Sequence, residues 1–130
     1  MTTALPFTFT DAHPQQHLDQ ADDAHLDTLD FGVIGFDAAG LVQRYNSFES
    51  TASGMSVQRV LGNDLFEVVA PCMNNFMVAQ RFEDARAQSV SLDETISYVL
   101  TFRMRPVKVQ LRLLAAPDSA LRYVLVNRSR

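Results

Sequence analysis

The chain has 130 residues, 47% of them apolar and 20% charged, which reads as one globular domain able to bury a core. Its formal net charge of −4 excludes the basic surplus that nucleic acid or an anionic membrane surface would call for. No run nears the about 18 apolar residues of a spanning helix. Residues 1–10 have neither the basic residue nor the long apolar core of a secretory signal, so the default expectation is a cytoplasmic protein.

Residues 1–20 read as polar and irregular, with a turn at Asp11-Ala12-His13-Pro14. His13 and His17 are spaced for one helical face, but a metal site needs more convergent ligands, and none is expected. Across 19–29, Ala21, Ala24, Leu26 and Leu29 form a partial apolar stripe that predicts a short helix. Residues 31–36 predict a first strand, Asp37-Ala38-Ala39-Gly40 a turn, and 41–46 the second strand of a hairpin. Residues 47–62 break into short helical pieces, with Gly54 and Gly62 as stops. Asn63-Asp64 can cap a further short helix over 65–68.

The strongest helix is predicted over 76–88, where Val78, Phe82 and Ala85 recur at helical spacing and Arg81, Glu83, Asp84 and Arg86 can face water. From Thr95 the period changes to two. Ile96, Tyr98, Leu100, Phe102 and Met104 share one strand face. Arg105-Pro106 is expected to break that strand. Val107, Val109, Leu111 and Leu113 then alternate with Lys108, Gln110 and Arg112, and Pro117-Asp118-Ser119 turns the chain into a last strand over 121–127. Two strands, a helical middle and three strands predict an α+β fold with an antiparallel sheet. One sheet face would be solvated and capped, and the other covered by the helices.

Cys72 is the single cysteine, so an internal disulfide is excluded. A lone thiol is a small buried hydrophobe, a nucleophile or an attachment point. Pro71 fixes its own φ and steers Ala70 away from helix, so the chain enters Cys72 extended or in a turn. With a helix predicted shortly after, the thiol is expected near a positive helix end that favours thiolate. A cysteine-nucleophile enzyme lacks a base: all three histidines precede residue 26 and no Cys/His/Asn arrangement is visible. No enzymatic activity is expected.

Three stretches belong together. They are Tyr45-Asn46-Ser47-Phe48-Glu49 with Ser53-Gly54, Val69-Ala70-Pro71-Cys72, and Met104-Arg105-Pro106-Val107-Lys108-Val109. With Leu29-Asp30-Phe31-Gly32-Val33-Ile34, the Asp37–Gly40 turn, Val60-Leu61-Gly62-Asn63, Phe66 and Phe82, they resemble the photoactive yellow protein family, small blue-light receptors of PAS fold. The resemblance runs over about 21–126, with roughly one residue inserted between Phe82 and Tyr98. It implies a PAS fold with a five-stranded antiparallel sheet, helices on one face and an N-terminal cap. The expected division is a cap segment over 1–28 and a photosensory core over 29–130. The cap would loosen during signalling.

The resemblance also implies a p-coumaric acid chromophore held by a thioester to Cys72, with Val69, Ala70 and Pro71 shaping the attachment loop. Its phenol end would reach Tyr45 and Glu49. A tyrosine-like phenol titrates near about 10, so a phenolate held in the dark needs strong hydrogen bonds. Tyr45 can donate one, and Glu49 can donate one only when burial keeps it protonated. Light would isomerise the chromophore, Glu49 would give up its proton, and a newly buried carboxylate would drive a conformational change.

Ser53 stands where the family has a threonine supporting Tyr45. Met104 matches a residue that assists recovery. Met55 replaces a pocket-covering arginine, Phe102 replaces a tyrosine, and Ala52 replaces a larger apolar residue. Colour and recovery rate are expected to respond to these changes. A downstream signalling protein or fused domain is implied, with the chain itself a monomer or weak homodimer. The alternative is a PAS ligand-binding or dimerisation module without a covalent chromophore.

Overall fold

A computed structural model of the chain describes residues 8–102 and 105–128, with the side chains of Phe102 and Arg105 left aside. Five strands form its sheet: β1 (Gly32–Phe36), β2 (Val42–Tyr45), β3 (Leu92–Phe102), β4 (Arg105–Ala115) and β5 (Arg122–Asn127). Their spatial order is β2-β1-β5-β4-β3, and every neighbouring pair is antiparallel. This is the α+β arrangement expected from the sequence.

The first hairpin is set by its turn. Asp37 Oδ1 accepts the backbone N–H of Ala39 and Leu41 at 2.9 and 3.0 Å, and Gly40 takes a φ of 88° that other residues rarely adopt. The chain then leaves the sheet for α3 (Ser47–Ser53), α4 (Val57–Val60), a π-helical turn (Leu65–Val69), a 3-10 turn (Pro71–Met73) and α5 (Ala79–Gln88). The long hairpin of β3 and β4 follows, with β5 inserted between β4 and β1.

Strand side chains alternate between two cores. Ile34, Leu111, Leu113, Val124 and Val126 face the helical middle. Val33, Leu114, Tyr123 and Leu125 face the opposite way and pack with Phe9, Leu18, Leu26 and Phe31. That second layer is the N-terminal segment, with α1 (Pro14–Gln20) and α2 (Asp23–Leu26). Covered on both sides, β1 is buried along its whole length.

Arg44 of β2 ties this layer down. Its guanidinium donates to the carbonyls of Leu18 and Ala21 at 2.7 and 2.5 Å, and meets Asp23 Oδ1 at 3.2 Å. Further along, Arg112 of β4 donates to the Phe9 carbonyl at 2.7 Å and pairs with both Asp93 oxygens at 2.8 Å.

Three expectations are corrected. Residues 14–20, read as irregular, form α1, because Pro14 occupies a helix-starting position and Leu18 is buried. The helix predicted from 76 begins at Ala79; the Asn75 side chain accepts the N–H of Met77 and Val78 and holds the intervening chain in a turn. Strand β3 begins at Leu92 rather than Thr95, since Leu92 pairs with Ala115 and Asp93 is fixed by Arg112. The strand break expected at Arg105-Pro106 is present: β3 ends at Phe102 and β4 opens at Arg105, with Pro106 opposite Thr101. Pro106 lies outside the Gln110–Leu114 stretch of β4 that pairs with β5, so its missing N–H costs no bond on that side. Among the described residues no helix is long and apolar enough to cross a membrane.

Because Arg44 satisfies carbonyls at the end of α1, Arg44→Ala is expected to cost about 1–3 kcal/mol and to act locally. Hydrogen exchange should quicken in α1 and α2 while the β4 and β5 amides keep their protection relative to global unfolding. Uniform loss of protection across the sheet would show that the N-terminal layer does not open as a unit.

Candidate functional site

Tyr45, Glu49 and Ser53 are spaced by four residues, so the turn from β2 into α3 stacks them on one side. All three are buried, Glu49 completely. Asn46 starts the helix. Its Oδ1 accepts the N–H of Glu49 at 3.1 Å and of Val33 at 3.0 Å. Its Nδ2 donates to the carbonyls of Leu26 at 2.9 Å and Phe31 at 3.0 Å. One buried amide thus joins the helix that carries Glu49, the first strand and the N-terminal layer. Gly54 closes the helix in the left-handed conformation, with φ 79°.

The Tyr45 and Ser53 hydroxyls lie 2.7 Å apart, and Ser53 Oγ also accepts the Met55 N–H at 3.2 Å. If the serine donates its proton to Tyr45, the phenolic O–H of Tyr45 is left to serve an acceptor in the pocket. That valence fits an anionic oxygen bound beside it. Burial, then the neighbouring Glu49 charge, push the Tyr45 phenol well above its ordinary value, so it stays a donor.

Glu49 meets Arg128, which follows β5. The guanidinium engages the carboxylate through both nitrogens, Nη1 to Oε1 at 2.6 Å and Nη2 to Oε2 at 2.9 Å. The carboxylate also rests on bare backbone: a Cβ added at Gly32 would lie 2.0 Å from Oε1. Burial pushes the Glu49 carboxyl up, and the Arg128 bond and charge bring it only part of the way back. The balance favours a carboxyl that takes up a proton more readily than an exposed glutamate.

Cys72 sits in the 3-10 turn of Pro71–Met73, reached through the π-helical turn. Asp64 caps that turn, its Oδ1 accepting the Phe66 and Glu67 N–H groups at 3.0 Å each. Val69 and Ala70 are buried, Pro71 is exposed, and Cys72 is half-buried. Cys72 and Met55 pack against the same apolar cluster that contains Tyr45, Val69 and Ala70. The fold therefore brings most of the sequence-predicted residues to one side of the sheet. Pro71 shapes the loop from its surface, the Phe102 side chain and Met104 lie outside the described residues, and α5 begins too late to place its N-terminus directly after the thiol.

Three contributors were not found from sequence. Tyr98 of β3 donates to the Cys72 carbonyl at 2.5 Å, and Asn75 Nδ2 donates to the Tyr98 hydroxyl at 2.6 Å. Together they clamp the thiol turn to the sheet. The signal for Tyr98 was its strand parity with Leu100, which is buried in the same cluster. Arg128 had a similar signal: it lies two residues beyond Val126 and four beyond Val124, both inward-facing.

Because burial raises the folded-state value of Glu49, the fold favours its protonated form. The resulting stability is fully present below the unfolded value of 4.5 and is lost as pH rises through the folded value. Relative to Glu49→Gln, which cannot ionise, the unloaded wild-type chain should lose unfolding free energy across that interval. Chemical denaturation at a series of pH values measures the difference; a pH-independent difference would show that burial does not raise Glu49.

A family model described as the PAS fold matches residues 21–128. The chain is 32% identical over 106 residues to photoactive yellow protein of Rhodothalassium salexigens, covering 82% of this chain and 84% of that protein. Against photoactive yellow protein of Halochromatium salexigens the identity is 33%, with the same coverage of both. The crystal structure of the photoactive yellow protein domain from the sensor histidine kinase Ppr of Rhodospirillum centenum matches with a TM-score of 0.79 at 34% identity, over 87% of this chain and 98% of that one. The PAS domain of the RpfR quorum-sensing receptor of Cronobacter turicensis shares the fold alone, with a TM-score of 0.60 at 14% identity over 78% of this chain and 95% of that one. The chain belongs to the photoactive yellow protein family, within the PAS fold.

Proposed function

We propose that this protein is a blue-light receptor carrying p-coumaric acid as a thioester on Cys72. The observation that carries the reading is the convergence of a half-buried thiol with a buried hydroxyl pair and a fully buried carboxyl on one side of the sheet. Cys72 sulfur attacks the acyl carbon of an activated acid; the S–C bond forms, the leaving group departs and the thiol proton goes with it. Bound there, the group supplies a blue-light-driven trans-to-cis isomerisation about its double bond.

The remaining work falls to the chain. Tyr45, when it accepts a hydrogen bond from Ser53, has its own O–H free to donate to the phenolate oxygen in the dark. Glu49 donates a second bond when protonated, which burial favours. Val69 and Ala70 line the attachment turn, Pro71 fixes its entry, and the Tyr98–Asn75 clamp holds the Cys72 carbonyl. Met55, Phe102 and Met104 tune colour and recovery from the positions that the family resemblance assigns them.

After illumination, Glu49 gives its carboxyl proton to the phenolate oxygen and becomes a buried anion. Its N–H shares the Asn46 oxygen with Val33, and the Asn46 nitrogen holds the Leu26 carbonyl. Movement of Glu49 and α3 therefore strains the bond that fastens the N-terminal layer. In this reading 1–28 is the segment released and 29–130 the sensing core. The receiver is a cytoplasmic signalling protein or a fused domain, as in the histidine kinase whose domain this chain resembles.

Adding an activated p-coumaric acid derivative to the purified chain, with Cys72→Ala alongside, should give a strong visible band in the wild type alone. The band should bleach under blue light and return in darkness. With both proteins folded and neither coloured, the reading gives way to a PAS module that binds without a covalent chromophore. A near-ultraviolet band alone would mean that attachment occurs but Tyr45 and Glu49 hold no phenolate.

A further inference from the structure

We infer that Arg128 is the alternate partner of Glu49, taking its carboxylate in a two-pronged ion pair when the glutamate is ionised and releasing it when the glutamate is protonated. The inference deepens the proposed photoreceptor and rests on it for its role in the light cycle. Its basis is geometric. Both carboxylate oxygens are engaged, at 2.6 and 2.9 Å, by the two terminal nitrogens of one guanidinium. This fork matches an ionised carboxylate, and protonation removes both the charge and one acceptor oxygen.

The partners differ in their freedom. The Glu49 side chain is fully buried, whereas the Arg128 side chain is 16% exposed and has water at hand when it lets go. Titratable neighbours are few: Tyr45 comes from β2 and Arg128 follows β5, while β1 contributes the bare backbone of Gly32. When Glu49 gives its proton away, Arg128 is the cation within reach among the described residues. The ion pair then stabilises the bleached state and slows its return. It also ties the end of β5 to the protonation state of the site.

The test uses two variants and two states. In the unloaded protein, infrared absorption of a protonated carboxyl, assigned by its loss in Glu49→Gln, is followed against pH. Arg128→Gln should raise the proton affinity of Glu49 about ten-fold or more, seen as the band persisting to higher pH. Arg128→Lys, which keeps the charge but loses the fork, should fall between and serves if the neutral variant does not fold. A general loosening of structure would not move this midpoint upward in that order.

In the loaded protein, Arg128→Gln should return to the dark state about ten-fold or more faster. Midpoints and recovery rates within two-fold of wild type in the folded variants would overturn the inference. Absence of a visible band in every variant would instead strike the photoreceptor reading, while the unloaded infrared titration would still decide the role of Arg128.

Discussion

Glu49 is held out of water, where an ion is costly unless it is paired and a protonated acid is comfortable if it has a bond to make. The fold supplies for both conditions. Arg128 offers a fork to the ionised form. On the reading proposed above, an anionic ligand beside the Tyr45–Ser53 pair would accept a bond from the protonated form. In the proposed photoreceptor, a group with two such partners on opposite terms acts as a switch rather than a fixed strut.

The sheet determines who those partners are. Antiparallel pairing of β1 with β5 sets Gly32 opposite Val126, so the carboxylate lies over a position without a side chain, close to where β5 ends. Strand parity then turns Arg128 to the same face as Val124 and Val126. On the other face, the N-terminal layer packs on Val33, Tyr123 and Leu125. Asn46 spans the two sides, because the four hydrogen bonds of its side chain reach Glu49, Val33, Leu26 and Phe31. Few bonds separate a proton lost in the pocket from the fastening of the N-terminal layer, which is a short physical path for coupling.

Much of this was legible in the chain. The change of period from helical to strand at the end of α5 and the Asp37–Gly40 turn are local signals, and local signals survive without coordinates; Tyr45, Glu49 and Ser53 were singled out by the family resemblance. Helix α1 was missed because a seven-residue helix with one buried leucine leaves little periodicity, and part of its support comes from residues distant in sequence, among them Arg44 and Ser119. Arg128 was missed for a related reason. A cation two residues beyond an inward valine reads as a solvated strand end, and only the packing of β5 beside β1 reveals the buried acid that it meets. Tyr98 and Asn75 were obscured by the same non-local geometry, since their shared target is a backbone carbonyl, which has no signature in sequence. The start of α5 moved because an asparagine side chain captured two N–H groups and kept them from the helix.

The proposed proton transfer from Glu49 is tested most directly by a light-minus-dark infrared difference spectrum of the p-coumaroyl-loaded protein, recorded beside Glu49→Gln. Illumination should remove the absorption of one protonated, buried carboxyl and create a carboxylate, and both features should vanish in the variant. A spectrum in which no carboxyl changes, or in which the same carboxyl signal persists in Glu49→Gln, would contradict the assignment of Glu49 as the proton store around which the site is built.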